Sequence, residues 1–284
     1  MKKYNPIGVF DSGYGGLTVL KEMLAQLPQY DYLYLGDNAR APYGNRSFET
    51  VYQYTKECVD WFFAQGCSLV ILACNTASAK ALRSIQQCHL PKKNRDKRVL
   101  GVIRPTTEII GQLSATQHIG VLATNGTVQS SSYPIEIEKF YPGSKVYQQA
   151  CPMWVPLVEN DEYTSEGADF FIEKDIKKLM TQSAEIDTIL LACTHYPLLI
   201  DKIKNALPNN IKVVSQAQIV ALSLTDYLQR HPDIESDLTK NGDITLCTTD
   251  SVVDFDRHSQ IFFDKNLLSR HVDVLHPKKL MYPQ

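Results

Sequence analysis

A chain of 284 residues exceeds the roughly 100–200 expected of one domain, so two domains are predicted, and 44% hydrophobic content suffices for a large core. A formal charge of −2 with 21% charged residues excludes a disordered or collagen-like chain and leaves no electrostatic footprint for nucleic acid or an anionic membrane. The seven cysteines, at 58, 67, 74, 88, 151, 193 and 247, are odd in number and form no C-x-x-C pair, which argues against a disulfide framework and for a reducing cytoplasm.

The apolar stretch from Ile7 to Phe10 stops at Asp11, too short for a signal-peptide core, and no later run is long enough to span a bilayer. Ile7 to Phe10, Tyr32 to Leu35, Ser68 to Leu72 and Val99 to Ile103 read as strands. Leu17 to Leu27 and Phe48 to Ala64, between them, carry helical patterns. This alternation predicts a parallel α/β sheet. The basic run from Lys92 to Arg98, interrupted by Asp96, reads as a solvated loop before a strand.

The second half repeats the first. Strands are expected at Ile119 to Leu122, Lys145 to Tyr147, Thr188 to Leu191 and Ile211 to Val214. The offset is 112 residues between Gly8 and Gly120 and 119 between Cys74 and Cys193, as if one βα unit had been duplicated with small insertions. A helix from Ile219 to Leu228, a strand from Asp243 to Cys247 and an amphipathic segment near Phe255 to Leu268 are expected to pack back on the first half. The predicted architecture is therefore α/β with two pseudo-symmetric lobes, each a parallel sheet flanked by helices. The first comprises residues 1–98 and 212–284, the second residues 99–211, with the active site in the cleft between them.

Ligands of open α/β sheets sit beyond the carboxyl ends of the strands. The first half offers Asp11-Ser12-Gly13-Tyr14-Gly15-Gly16, then Gly36-Asp37-Asn38 with Pro42-Tyr43-Gly44, then Cys74-Asn75-Thr76. The second offers Thr124, Thr127, Cys193, Thr194 and His195. The glycines after Asp11 match neither G-x-G-x-x-G nor the P-loop, and an aspartate there repels phosphate; they serve a turn equally well. A zinc site of Cys74, Cys193 and His195 lacks a short-spaced ligand pair.

Cys74 and Cys193 both end an apolar strand where a helix should begin, and a helix N-terminus favours thiolate. Cys58, Cys67, Cys88 and Cys247 are expected to be small buried hydrophobes. Cys151 is expected to line the cleft or to be inert. His195, two residues after Cys193, and Asp11, near Cys74, are placed to poise the thiols. Two matched thiols suit a reaction that takes a proton from one face of a carbon and returns one to the other.

Four segments carry a family resemblance: Ile7 to Leu17, Asp37 to Gly44, Ala73 to Ser78 and Ala192 to Leu198. Together they resemble the glutamate racemases of the aspartate/glutamate racemase superfamily, over nearly the whole chain up to about residue 220. The resemblance implies Cys74 and Cys193 as the two bases. It places Asp11, Ser12, Tyr43, Gly44, Asn75, Thr76, Thr194 and His195 around the substrate, with Thr127 and Glu159 as further members. It also implies a cytoplasmic homodimer that needs neither pyridoxal phosphate nor a metal and supplies D-glutamate to the bacterial cell wall. No lysine stands in the strand-end motifs to form a Schiff base.

One segment departs from that pattern. Many relatives carry Val-Ile-Glu-Pro-Gly after the fourth strand, whereas this chain has Val102-Ile103-Arg104-Pro105-Thr106-Thr107, which reverses a charge at the lobe junction. Two rival readings share parts of the frame. An aspartate racemase would use the same two strand-Cys units, although the Pro42-Tyr43-Gly44 and Cys193-Thr194-His195 segments match glutamate racemases more closely. A hinged binding protein would have no use for paired thiols.

Overall fold

The computed structural model describes residues 4–261, 263 and 267–280. Among them ten strands form two sheets. β1 (Ile7–Asp11), β2 (Tyr32–Gly36), β3 (Leu69–Leu72), β4 (Arg98–Gly101), β9 (Ile244–Thr248) and β10 (Ser269–His271) make the first, in the order β10-β9-β2-β1-β3-β4. β5 (His118–Ala123), β6 (Lys145–Ala150), β7 (Thr188–Ala192) and β8 (Lys212–Ser215) make the second, in the order β6-β5-β7-β8. All the pairings are parallel.

The two sheets share one wiring. β2-β1-β3-β4 and β6-β5-β7-β8 are the same order, so the internal repeat read from the sequence is a repeat of topology, with β9 and β10 added at one edge of the first sheet. Helices cover both faces of each sheet, and this is why β1, β3 and β7 are buried throughout and carry near-continuous apolar runs instead of alternating. Ile7, Val9, Leu69 and Ile71 face one core, while Phe10, Val70 and Leu72 face another. Ile189 and Leu191 likewise part from Leu190 and Ala192.

The tail returns as expected. The helix Ala217–Arg230 packs against the helix Leu17–Gln26, and β9 pairs with β2. The amphipathic segment near Phe255 to Leu268 begins as the helix Val252–Ser259, but residues 262 and 264–266 of it lie outside the described residues. No helix among the described residues is long and apolar enough to cross a membrane.

Two expectations shift, and the departure at Arg104 finds its place. The fourth strand stops at Gly101 instead of Ile103, because the Val102 N–H turns to Ser78 Oγ at 3.4 Å and the helix Ile103–Thr107 begins at once. Strand pairing places Arg98–Gly101 in the first sheet and Lys212–Ser215 in the second, so the sheets exchange the chain a few residues later than the limits at 98 and 212. Arg104 does not face the cleft: its side chain is 71% exposed, pairs with Glu108 at 2.8 Å and lies over the Phe140 ring. The reversed charge is thus balanced within one helical turn.

The second sheet is tied to its preceding loop by Asp187, which accepts hydrogen bonds from Ser114 Oγ at 2.6 Å, Ala115 N at 2.7 Å and Thr116 N at 2.9 Å. Burial alone would raise its pKa, but these bonds outweigh it and hold the carboxyl below the usual range. A depressed folded pKa means stabilisation that is complete above the unfolded value of about 3.9 and fades as pH falls through the lower folded value. Asp187→Ala should therefore cost about 1–3 kcal/mol at neutral pH. Urea unfolding should show the gap to wild type narrowing below about pH 4, and a constant gap would contradict this assignment.

Candidate active site

The carboxyl ends of β1, β3 and β7 and the loop after β2 open onto one cavity of about 570 Å³, partly continuous with solvent. From the first sheet come Ser12, Tyr43, Gly44, Cys74, Asn75 and Thr76. From the second come Thr124, Cys151, Glu159, Cys193, Thr194 and His195. Both cysteines expected at the strand ends therefore line the same space, one from each side.

Their surroundings differ. Cys74 caps the helix Asn75–Lys80, with its sulfur accepting the Ala77 N–H at 3.4 Å and donating to Ser12 Oγ at 3.5 Å. The helix N-terminus was expected to favour thiolate here. Instead burial, followed by the charge of Asp11, pushes the thiol up to about 12, outweighing the hydrogen bonds it makes with Ser12 and Ala77. Cys193 is not at an α-helix N-terminus at all; the chain turns through His195 into a short 3₁₀ segment, Tyr196–Leu199. Its sulfur lies 3.9 Å from His195 Nδ1.

His195 Nε2 lies 3.1 Å from Glu159 Oε1, so the ring is held between a carboxylate and a thiol. Burial would lower the pKa of His195, but the contacts to Cys193 and Glu159 prevail and hold it well above the usual histidine value. Asp11 is fully buried. It accepts from Gly13 N at 2.9 Å and from Thr194 Oγ1 at 3.4 Å, and burial raises its pKa against the pull of His195. It sits behind the cavity wall, between the two sheets, and acts on Cys74 through its charge.

Close approach explains the glycine at 15. A Cβ there would stand 2.4 Å from Thr194 Oγ1 and 2.5 Å from His195 Nδ1. At Gly44 a Cβ would meet that of Thr124 at 3.1 Å. There the two lobes touch, with Gly44 O accepting the Gly126 N–H at 2.7 Å and Thr76 and Thr124 hydroxyls 2.9 Å apart.

The ring of Tyr43 lines the cavity, but its hydroxyl points away, to Asp37. Asp37 also accepts from Arg40 Nε at 2.7 Å and Thr249 Oγ1 at 2.9 Å. Arg40 is spent on Asp37, Glu57 and the Cys58 sulfur, so it does not reach the cavity.

Two expected members are displaced from the wall, and one cysteine was misjudged. Thr127 is fully buried behind Thr124, because Thr124 caps the helix Asn125–Ser130 through the Thr127 N–H and takes the lining position itself. Asp11 lies behind the wall as described. Cys88, expected to be buried, is exposed, whereas Cys58, Cys67 and Cys247 are buried. Sequence reasoning missed Asn45, Asn125 and Val155 as lining residues, and Gln216, which bonds Asn75 from the crossover after β8. Among the described residues no group of three or more His, Cys, Asp and Glu side chains is placed to hold a metal ion.

Residues 7–224 match the family model for Asp/Glu/hydantoin racemases. The chain belongs to that family. A glutamate racemase of Dinoroseobacter shibae is 41% identical over 80% of this chain and 85% of its own. Among solved structures, glutamate racemase of Bacillus anthracis superposes with a TM-score of 0.86 at 33% identity, over 96% of this chain and 98% of that one. The glutamate racemase of Francisella tularensis, solved in complex with D-glutamate, gives 0.83 at 28% identity, over 95% and 98%. The two-sheet arrangement of this racemase-family chain is thus the arrangement of glutamate racemase structures.

A thiol pushed up to about 12 is almost wholly protonated at neutral pH. Alkylation of Cys74 by iodoacetamide, read by mass spectrometry of the native protein, should rise about tenfold per pH unit through about pH 9.5. A plateau near about 8.5, where an ordinary thiol is half ionised, would contradict the assignment.

Proposed function

We propose that the protein interconverts L- and D-glutamate by two-base proton transfer between Cys74 and Cys193. The observation that carries this reading is that β3 and β7 bring two cysteines from opposite sheets to one cavity. The names of its relatives supply the substrate class.

Racemisation has an equilibrium constant of one and needs equivalent chemistry on both faces of Cα. A Cys74 thiolate takes the α-proton of D-glutamate, the C–H electron pair passes toward the α-carboxylate, and the Cys193 thiol gives its proton to the other face. L-glutamate reacts by the reverse exchange. Burial raises the Cys74 pKa in the empty site; as substrate binds, its α-ammonium group supplies the positive charge that lowers it again, and the thiol gives its proton to solvent, onto which the cavity opens. Asp11 poises the Cys74 side, and His195, held by Glu159, poises the Cys193 side.

A positioned base contributes typically 10²–10⁴-fold, so electrostatics must supply the rest. Ser12, Asn75, Thr76 and Thr194, with strand-end amides, bind the α-carboxylate as charge builds on it, while Tyr43 and Gly44 shape the pocket for the longer side chain. Neutral donors do this work, since Arg40 is occupied elsewhere. The chemistry calls for no metal and no pyridoxal phosphate. We place the enzyme in the cytoplasm as a homodimer supplying D-glutamate for peptidoglycan. Its two lobes, residues 1–98 with 212–284 and residues 99–211, shifted by the few residues of strand exchange, flank the substrate.

Purified protein dialysed against chelator should form D-glutamate from L-glutamate, with kcat/KM at least about a hundredfold above that for aspartate, whose shorter chain leaves the distal donors unpaired. Cys74→Ala and Cys193→Ala should each lose nearly all activity in both directions, whereas Cys88→Ala, at the surface, should keep it. Retention of more than about a tenth of the wild-type rate by either cavity variant, a loss under about 1.4 kcal/mol, would refute the two-base scheme. Equal or faster turnover of aspartate would overturn the substrate alone.

In D₂O the removed and delivered protons come from different thiols, and the delivering thiol has already exchanged with solvent. The first D-glutamate formed from protiated L-glutamate should therefore carry deuterium at Cα while residual substrate stays protiated. Substantial protium in early product, read by NMR, would point to a single base serving both faces.

A further inference from the structure

Behind the cavity wall three side chains far apart in sequence close a ring of hydrogen bonds. Tyr133 OH donates to Asn75 Oδ1 at 2.6 Å, Gln216 Nε2 donates to Tyr133 OH at 2.6 Å, and Asn75 Nδ2 donates to Gln216 Oε1 at 2.9 Å. All three are buried. Asn75 lines the cavity directly after Cys74, Tyr133 stands on the helix Ser132–Phe140 of the second lobe, and Gln216 follows β8 where the chain crosses back.

The direction of this ring is fixed from outside it. Thr106 Oγ1 spends its hydrogen on Val102 O at 3.3 Å, so toward Gln216 it is an acceptor. Gln216 faces Thr106 Oγ1 at 3.0 Å and Val102 O at 3.4 Å, and a carbonyl only accepts; the atom turned to them must be Nε2. Its Oε1 then faces Asn75 and requires a donor, which orients Asn75 with Nδ2 toward Gln216 and Oδ1 toward Tyr133. An asparagine amide has four hydrogen-bonding positions, two hydrogens and two oxygen lone pairs, and the ring takes one of each, which leaves one Nδ2 hydrogen and one Oδ1 lone pair. With Oδ1 held toward Tyr133, the second Nδ2 hydrogen is the donor the amide offers the cavity.

We propose that Gln216 and Tyr133 are positioning residues that lock the Asn75 amide with Oδ1 toward Tyr133, so that a substrate carboxylate meets its Nδ2 donor. A flipped amide would turn Oδ1 toward the carboxylate, replacing attraction by repulsion in a buried site. The inference rests on the reading of this cavity as a glutamate site. It assigns catalytic influence to residues that touch no substrate.

The test uses the full-length protein and the variants Tyr133→Phe, Gln216→Met and the double variant. Each single variant should lose at least about tenfold in kcat/KM for glutamate, the lower end for a hydrogen bond to a charged group. The double variant should be no worse than the weaker single one, since each break loosens the same amide. In ¹⁵N-labelled protein the Asn75 side-chain amide signals, identified by their loss in Asn75→Asp, should move from their wild-type positions in both single variants. Should Gln216→Met fail to fold, Tyr133→Phe, which removes one oxygen at constant shape, decides the matter alone. Activity within twofold of wild type, unmoved Asn75 signals, or single-variant losses that multiply in the double variant would each overturn the proposal. A wild-type protein inactive on glutamate would sink the reading of the cavity, while the Asn75 signals would still decide the ring.

Discussion

Two parallel strands from different sheets must end opposite each other, and what holds them there is a seam of small polar contacts between the lobes. Thr194 reaches Asp11, Thr18 Oγ1 reaches Thr194 O at 3.2 Å, Thr76 meets Thr124, and Gly44 O takes the Gly126 N–H. A buried hydroxyl left unpaired costs on the order of 1–3 kcal/mol, so each contact is made only at the separation that pairs both partners. An apolar seam would tolerate sliding. This one favours a single spacing, and the distance between the two thiols follows from it.

The same seam makes the cavity electrostatically unequal on its two sides. Cys74 looks onto a serine hydroxyl with a buried carboxyl behind it, whereas Cys193 looks onto a ring that Glu159 holds and that stays protonated above the usual histidine range. A duplicated topology thus carries a non-duplicated set of proton holders. For the proposed racemisation this is no contradiction, since equal end states do not require equal groups on the two faces.

The strands, their order of appearance and the two cavity cysteines were legible because each is a local pattern: a short apolar run, a polar residue at its end, a repeat of both. Boundaries moved by a residue or a few where a side chain took a backbone group, as Ser78 does at Val102. Chemistry that depends on burial was not legible. The helix start at Cys74 suggested a lowered thiol pKa, and its enclosure reversed the sign. Partners distant in sequence were equally hidden: nothing local to Gln216 marks it as the neighbour of Asn75, 141 residues away, and Thr127 read as a strand-end group until Thr124 claimed the cap.

The extra elements of the first sheet also reach the site, although no cavity residue comes from them. The helix Val252–Ser259 places His258 Nε2 3.1 Å from Glu159 O and Arg257 3.2 Å from Asp161. Tyr14, beside the strand-end glycines, stacks on His258 with centroids 4.3 Å apart. Glu159 ends a short helix, where backbone carbonyls lack intrahelical partners, so an imidazole there both satisfies an orphan acceptor and fixes the residue that orients His195. The edge of one lobe therefore braces the proton holder of the other. Symmetry supplies the two thiols, and the added edge of the first sheet, which has no counterpart in the second, packs beside only one of them.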